Sequence, residues 1–220
     1  MGQEVRKRGR PRNQELLTRR CEEILDAATR VFAASGYKDT DVQAIADAVD
    51  VGKGTVYRYF PSKRELFLAA ADRGMRRLKE QVDAARAAKD DPLEQIVAAT
   101  RAYLEFFAAR PELVELLIQE RAAFKDRRKP TYFEHRDANI GTWQELFAAL
   151  IRAGRVRDLP PSQITDVMSS LVYGTMFTNF FVGGKPESSA RQAADIIDIV
   201  FHGILNPQRD TPAGAERSPP

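Results

Sequence analysis

Cysteine is almost missing from this chain. A single Cys21 in 220 residues excludes an intrachain disulfide framework and any multi-cysteine metal site within one chain. With Ile24 and Leu25 close by, it reads as a small, partly buried residue. No uninterrupted apolar run reaches the length of a membrane span, and the basic, polar N-terminus lacks a signal-peptide apolar region. A cytoplasmic protein with no membrane partner is therefore expected. Strand-type alternation and internal repeats are absent too, which leaves an all-α fold. What is present, 43% hydrophobic and 30% charged residues, describes a globular protein with a substantial core.

Histidine is scarce as well. His135 stands beside Glu134 and Asp137, with His202 far away along the chain. That spacing matches no nucleophile–base or zinc pattern, so no catalytic residue, metal or cofactor is expected. Two alternative function classes stay open on the sequence: an enzyme using His135 and Glu134, and a helical scaffold that binds a protein partner. The scaffold leaves the basic N-terminal arm and the cluster from Tyr57 to Lys63 unexplained.

The net charge of +3 is unevenly spread. Residues 1–20 hold seven Lys/Arg and two Asp/Glu, a charge of +5, which leaves −2 for the remainder. A basic arm on a near-neutral body suits a polyanionic partner. Residues 1–15 lack an apolar pattern and are expected to be disordered, as are the Pro-rich residues 206–220. Within the arm, Arg8-Gly9-Arg10-Pro11 looks like the core of an AT-hook. Gly permits close backbone approach, Pro holds the chain extended, and Arg8 and Arg10 suit the negative potential of a narrow minor groove.

The rest of the chain alternates helical periodicity with stop signals. Leu17, Ile24, Ala27, Ala28, Val31 and Phe32 predict a helix over 16–35, ended by Ser35-Gly36. Asp41 caps a second helix carrying Val42, Ile45 and Ala46; Asp50 suits a left-handed turn; a third helix opens at Gly52 or Lys53 and ends near Phe60. Two short helices across a tight turn, with Val51 and Val56 facing inward, satisfy the helix-turn-helix pattern. Ser62 and Glu65 form a capping box before a long helix to about Lys89. Asp91-Pro92, Pro111, Pro130, Gly154, Pro161 and Gly183 then divide the chain into further helices near 92–109, 111–126, 133–153, 162–182 and 188–205, about nine in all.

Phe32-Ala33-Ala34-Ser35-Gly36-Tyr37, Ile45-Ala46, and Val51 through Phe60 with Lys63 and Leu66 together resemble the TetR family of bacterial transcriptional regulators. The resemblance covers about residues 16–68. It implies an N-terminal three-helix DNA-binding domain (16–62), a linking helix (63–90) and a C-terminal helical ligand-binding and dimerisation domain (91–205). It further implies a homodimer on a palindromic double-stranded DNA operator, released by a small-molecule effector, with repression the common outcome. Carried over by position, Thr40 and Lys63 fall at phosphate contacts, and Lys53, Thr55, Tyr57 and Tyr59 at recognition-helix contacts. Asp50, Gly52 and Asp41 depart from the family's usual glycine, Ser and Thr, and Asp41 sets a negative charge close to a phosphate-facing helix start.

Chemistry sorts these contacts. Lys53, Thr55 and Arg58 suit base edges, while Thr40, Lys63 and the Tyr57 hydroxyl suit the backbone. A short reading helix spans few base pairs, so a dimer is needed. Helix 188–205 is apolar on two sides, through Ile196, Ile197, Val200 and Ile204 among others, and the preceding helix offers Leu171 and Thr175. These six residues are the expected dimer interface. Tyr103, Phe107, Trp143, Phe147 and Phe177 are the expected lining for an apolar or amphipathic effector.

Overall fold

The computed structural model describes residues 10–183 and 188–203, with side chains described from residue 16 onward. Among the described residues all regular structure is helical: α1 (Arg10–Ser35), α2 (Val42–Asp47), α3 (Lys53–Tyr59), α4 (Lys63–Ala87), α5 (Pro92–Ala108), α6 (Pro111–Ala123), α7 (Thr131–Arg152), α8 (Pro161–Val182) and α9 (Ser189–His202). The all-α expectation holds. Arg8, Ile204, and the expected disorder of residues 1–9 and 206–220 lie outside the described residues. One start differs. Helix α1 begins at Arg10, six residues before the periodicity places it, so Arg10 and Pro11 have helical backbone rather than an extended one. Proline is compatible with a first turn because its missing N–H has no helical partner there.

The stops are chemical. Gly36, at φ 80°, takes the left-handed conformation that ends α1, and its N–H donates to the Phe32 carbonyl at 2.9 Å. The Asp41 carboxylate accepts the Gln43 N–H at 2.9 Å and caps α2. Ser62 accepts the Glu65 N–H at 3.1 Å as a capping box requires, but the return bond differs: the Ser62 hydroxyl donates to Glu65 Oε1 at 3.3 Å. Asp91 accepts the Leu93 N–H at 2.6 Å, so Pro92 opens α5 behind a capping acid.

The chain packs as two compact units. The first holds the described residues up to Gln81 together with Ala109–Leu146; the second holds Val82–Ala108 and the described residues from Phe147 onward. Packing therefore does not follow chain order, since α6 and most of α7 join the unit that contains α1–α3.

In the first unit one core runs through Ile24, Ala28 and Phe32 of α1, Val42 and Ile45 of α2, Val56 of α3, Leu66 and Phe67 of α4, Leu116 of α6, and Phe124 just beyond it. Phe32, Tyr37, Phe67 and Phe124 meet mainly edge to face, the closest pair being Tyr37–Phe124 at 4.7 Å. Such contacts add about 1 kcal/mol each beyond the area they bury. Polar ties follow the same route. Gln119 of α6 donates to the Phe32 carbonyl at 3.0 Å, and the buried Arg73 of α4 reaches Glu22 and Asp26 of α1 at 2.6 and 2.5 Å.

In the second unit α5 packs against α8 and α9. Asn179 and Gln192 exchange two amide hydrogen bonds, 2.7 and 2.8 Å, between α8 and α9. Arg155 reaches the α5 cap Asp91 at 2.8 Å. Val167, Leu171, Phe181 and Ile199 of α8 and α9 remain exposed.

Candidate nucleic-acid interface

Helix α3 has only seven residues and cannot persist alone. Tertiary anchors hold it. Val56 is fully buried, Phe60 nearly so, and Val51 and Tyr59 pack against the same core. The turn before it is set by Asp50, whose φ of 52° makes it the one non-glycine residue in the left-handed region among the described residues. Asp tolerates that conformation better than most side chains. From there the Val51 N–H returns to the Ala46 carbonyl at 3.0 Å, and Gly52 caps α3 through its backbone alone, with no side-chain bond.

Anchoring one face leaves Gly54, Tyr57 and Arg58 exposed on the other, with Lys53 beside them. A Cβ at Gly54 would meet nothing, so this edge of α3 is bare backbone open to close approach. Arg58 lies 5.7 Å from the Tyr59 ring centroid, which stacks its guanidinium along the helix. Thr55 and Tyr59 are half-buried.

Lys53 has a partner that the spacing of apolar residues does not signal. Its Nζ donates to Asp41 Oδ1 at 2.7 Å, across the turn between the two helices. The Gln43 N–H and then the Lys53 ammonium hold the Asp41 carboxyl below its ordinary value, and the Asp41 bond raises the Lys53 ammonium. Both side chains remain open to solvent.

The two residues expected at phosphates are differently employed. Thr40 is only 4% exposed, and its hydroxyl donates to the Gly36 carbonyl at 2.6 Å. The Lys63 ammonium donates to the carbonyls of Lys38 and Thr40, at 2.9 and 2.7 Å, and lies 4.9 Å from the Tyr37 ring centroid. Both side chains tie the loop before α2 to its surroundings. Arg8 lies outside the described residues, and Arg10 is described only as backbone in α1.

Further along, Tyr103 and Phe107 meet edge to face at 5.0 Å, and Tyr103 donates to Met176 Sδ at 3.7 Å. Phe107 and Phe147 are buried, and Phe177 is half-buried against Tyr173 at 4.7 Å. These four aromatics belong to the second unit, whereas Trp143 belongs to the first. Of the residues expected between two copies, Leu171 is exposed and Ile196, Val200 and Thr175 are half-buried. Ile197 is buried within the chain itself, on the inward side of α9. Ile204 lies outside the described residues.

The acid–base alternative finds each group already engaged. His135 Nε2 lies 2.7 Å from Asp72, Glu134 accepts from Arg127 at 2.6 Å, and Asp137 pairs with Lys129.

Known proteins share both halves of this chain. Residues 24–70 match the family model described as bacterial regulatory proteins, tetR family, and residues 89–178 match a tetracyclin repressor-like C-terminal domain. The transcriptional repressor AcnR of Corynebacterium diphtheriae is 26% identical over 199 residues, which cover 89% of this chain and 96% of that one. The repressor KstR of Mycobacterium tuberculosis is 36% identical over 77 residues, 35% of each chain. Among solved structures, the regulator FadR of Bacillus subtilis in complex with stearoyl-CoA superposes with a TM-score of 0.72 at 18% identity, over 84% of this chain and 99% of that one.

Proposed function

The chain belongs to the TetR family of bacterial regulatory proteins and is a DNA-binding regulator, and from that premise we propose that it is a cytoplasmic, homodimeric repressor of a palindromic operator. The observation that carries the reading is α3 itself: a short helix pinned by Val56 and Phe60, with Lys53, Tyr57 and Arg58 on its open side. A helix so mounted enters a major groove without disturbing its own core. Lys53 and Arg58 supply donors for guanine, the Tyr57 hydroxyl suits a phosphate, and Thr55 and Tyr59 flank them. Thr40 and Lys63 act by fixing the loop that precedes α2, so that its backbone meets the phosphates in one register. Arg8 and Arg10 add salt-dependent attraction to the DNA backbone.

Two copies pair through the open faces of α8 and α9, with Leu171, Thr175, Ile196 and Val200 among the residues covered. The effector is small and apolar or amphipathic and lies in the second unit among Tyr103, Phe107, Phe147 and Phe177; their rings supply the apolar lining, and the Tyr103 hydroxyl a polar handle.

Selection from a library of random duplexes of about 30 base pairs, room for two half-sites one helical turn apart, tests the reading. An inverted repeat should be enriched. Recovery of unrelated sequences would remove the DNA-reading proposal, and a single half-site would remove the dimeric one. Stearoyl-CoA serves as the amphipathic probe, and it should weaken binding to the selected duplex at least about fivefold. Unchanged binding would exclude a long-chain effector.

A further inference from the structure

We propose that Asp41 is a specificity-determining residue, which aims the Lys53 side chain and withholds its charge from phosphates until a matching base is met. The inference rests on the DNA-reading function proposed above and adds a residue to it.

One carboxylate oxygen serves both helices. Asp41 Oδ1 accepts the Gln43 N–H at 2.9 Å, which fixes the carboxylate as the cap of α2, and the same atom accepts Lys53 Nζ at 2.7 Å. The anchor therefore belongs to α2, while the cation it holds is the first residue of α3. A lysine side chain has four rotatable carbons and, without a partner, sweeps a wide area. Tethered to a capped carboxylate, it occupies one direction relative to the reading helix.

Charge supplies the second half of the argument. Both partners are solvent-exposed, so the pair does little for stability. Its consequence is electrostatic. Free of Asp41, Lys53 is a mobile cation on a DNA-facing edge and pairs with any phosphate within reach. Bound to Asp41, it contributes almost no net charge, and the Asp41 carboxylate repels nearby phosphates. Only a base-edge acceptor correctly placed in the groove competes for the ammonium. Of the other charged groups around the carboxylate, Lys63 is held by the Lys38 and Thr40 carbonyls. Lys53 is thus the cation that Asp41 controls.

Asp41→Asn separates charge from capping, because asparagine keeps the acceptor for the Gln43 N–H and caps as well as aspartate. Its unfolding midpoint should match that of the wild type. Binding is measured against the duplex that the wild-type chain selects and against a shuffled duplex of equal composition, over a range of salt concentrations. On shuffled DNA the variant should bind more tightly, with a salt slope steeper by about 1.8 for the homodimer, the signature of one more phosphate contact in each copy. Its preference for the selected duplex should fall about fivefold per half-site. In a Lys53→Gln background the same Asp41→Asn change still relieves repulsion from phosphates, on both duplexes alike, but should leave the preference unchanged and the salt slope nearly so.

An unchanged slope and preference in Asp41→Asn would overturn the proposal, and so would an equal effect with Lys53 already removed, since Asp41 would then act on phosphates alone. If the wild-type chain itself shows no preference for any duplex, the DNA-reading function fails first, and that result is distinct from either.

Discussion

The Lys63 ammonium, 2.7 Å from the Thr40 carbonyl and 2.9 Å from that of Lys38, ties the first residue of α4 to the loop that starts α2. Family resemblance marks this lysine as a DNA contact. Its partners here are backbone carbonyls, which leave no mark on the sequence, so the structural half of its role was not legible. The same holds for Thr40, whose hydroxyl goes to the Gly36 carbonyl, whereas Asp50 was legible because few side chains accept the φ of its turn. A charged donor serving two carbonyls contributes about 1–3 kcal/mol. Lys63→Met should therefore lower the urea midpoint by a corresponding amount and weaken binding to the selected duplex. A lysine that met only phosphate would leave the midpoint of the free protein where it was. Equal stability of the two proteins would return Lys63 to a DNA contact alone.

Helix ends marked by caps, prolines and glycines were plain in the sequence because these are local chemistry, as Asp41, Asp91 and Gly36 illustrate, whereas the start of α1 carried no such mark. Which helix meets which was less plain. Leu113, Leu116 and Leu117 announce that α6 is buried, but nothing in their spacing says that its neighbours are α1 and α4. Gly74 carries part of that answer. A Cβ there would lie 2.4 and 2.8 Å from the two δ-carbons of Leu113, so α4 has no side chain where α6 presses closest. Alanine favours a helix over glycine by about 1 kcal/mol, yet forcing a methyl into a filled core costs about 1–3 kcal/mol. Because Leu113 is buried and has little room to turn aside, overpacking wins, and Gly74→Ala should lower the unfolding midpoint. With Leu113 cut to alanine the clash is gone, and the same Gly74→Ala change should become stabilising. A loss of equal size in both backgrounds would show that the glycine answers to something other than Leu113.

At the scale of the assembled molecule, the apolar surface of the last two helices was legible as an excess: α9 has more hydrophobic positions than one neighbour can cover. The structure divides that surface. Ala193 and Ile197 face inward, while Ile199, with Val167, Leu171 and Phe181 of α8, stays open to solvent. In the proposed dimer a second copy supplies the same face in return and covers this surface. Because Leu171 and Ile199 are 38% and 51% exposed, a glutamate at either position can hold its charge in solvent, so the fold should survive while the pairing does not. Light scattering should then give the wild type twice the chain mass of 24.7 kDa and the double variant that mass once. If each copy reads one half-site, as proposed, losing the pairing also loses the second, intramolecular binding step, and affinity for the selected duplex should fall at least about a hundredfold. A wild-type chain that scatters as a monomer would sink the interface. So would a double variant that remains a dimer and binds undiminished, which would move the pairing surface away from α8 and α9.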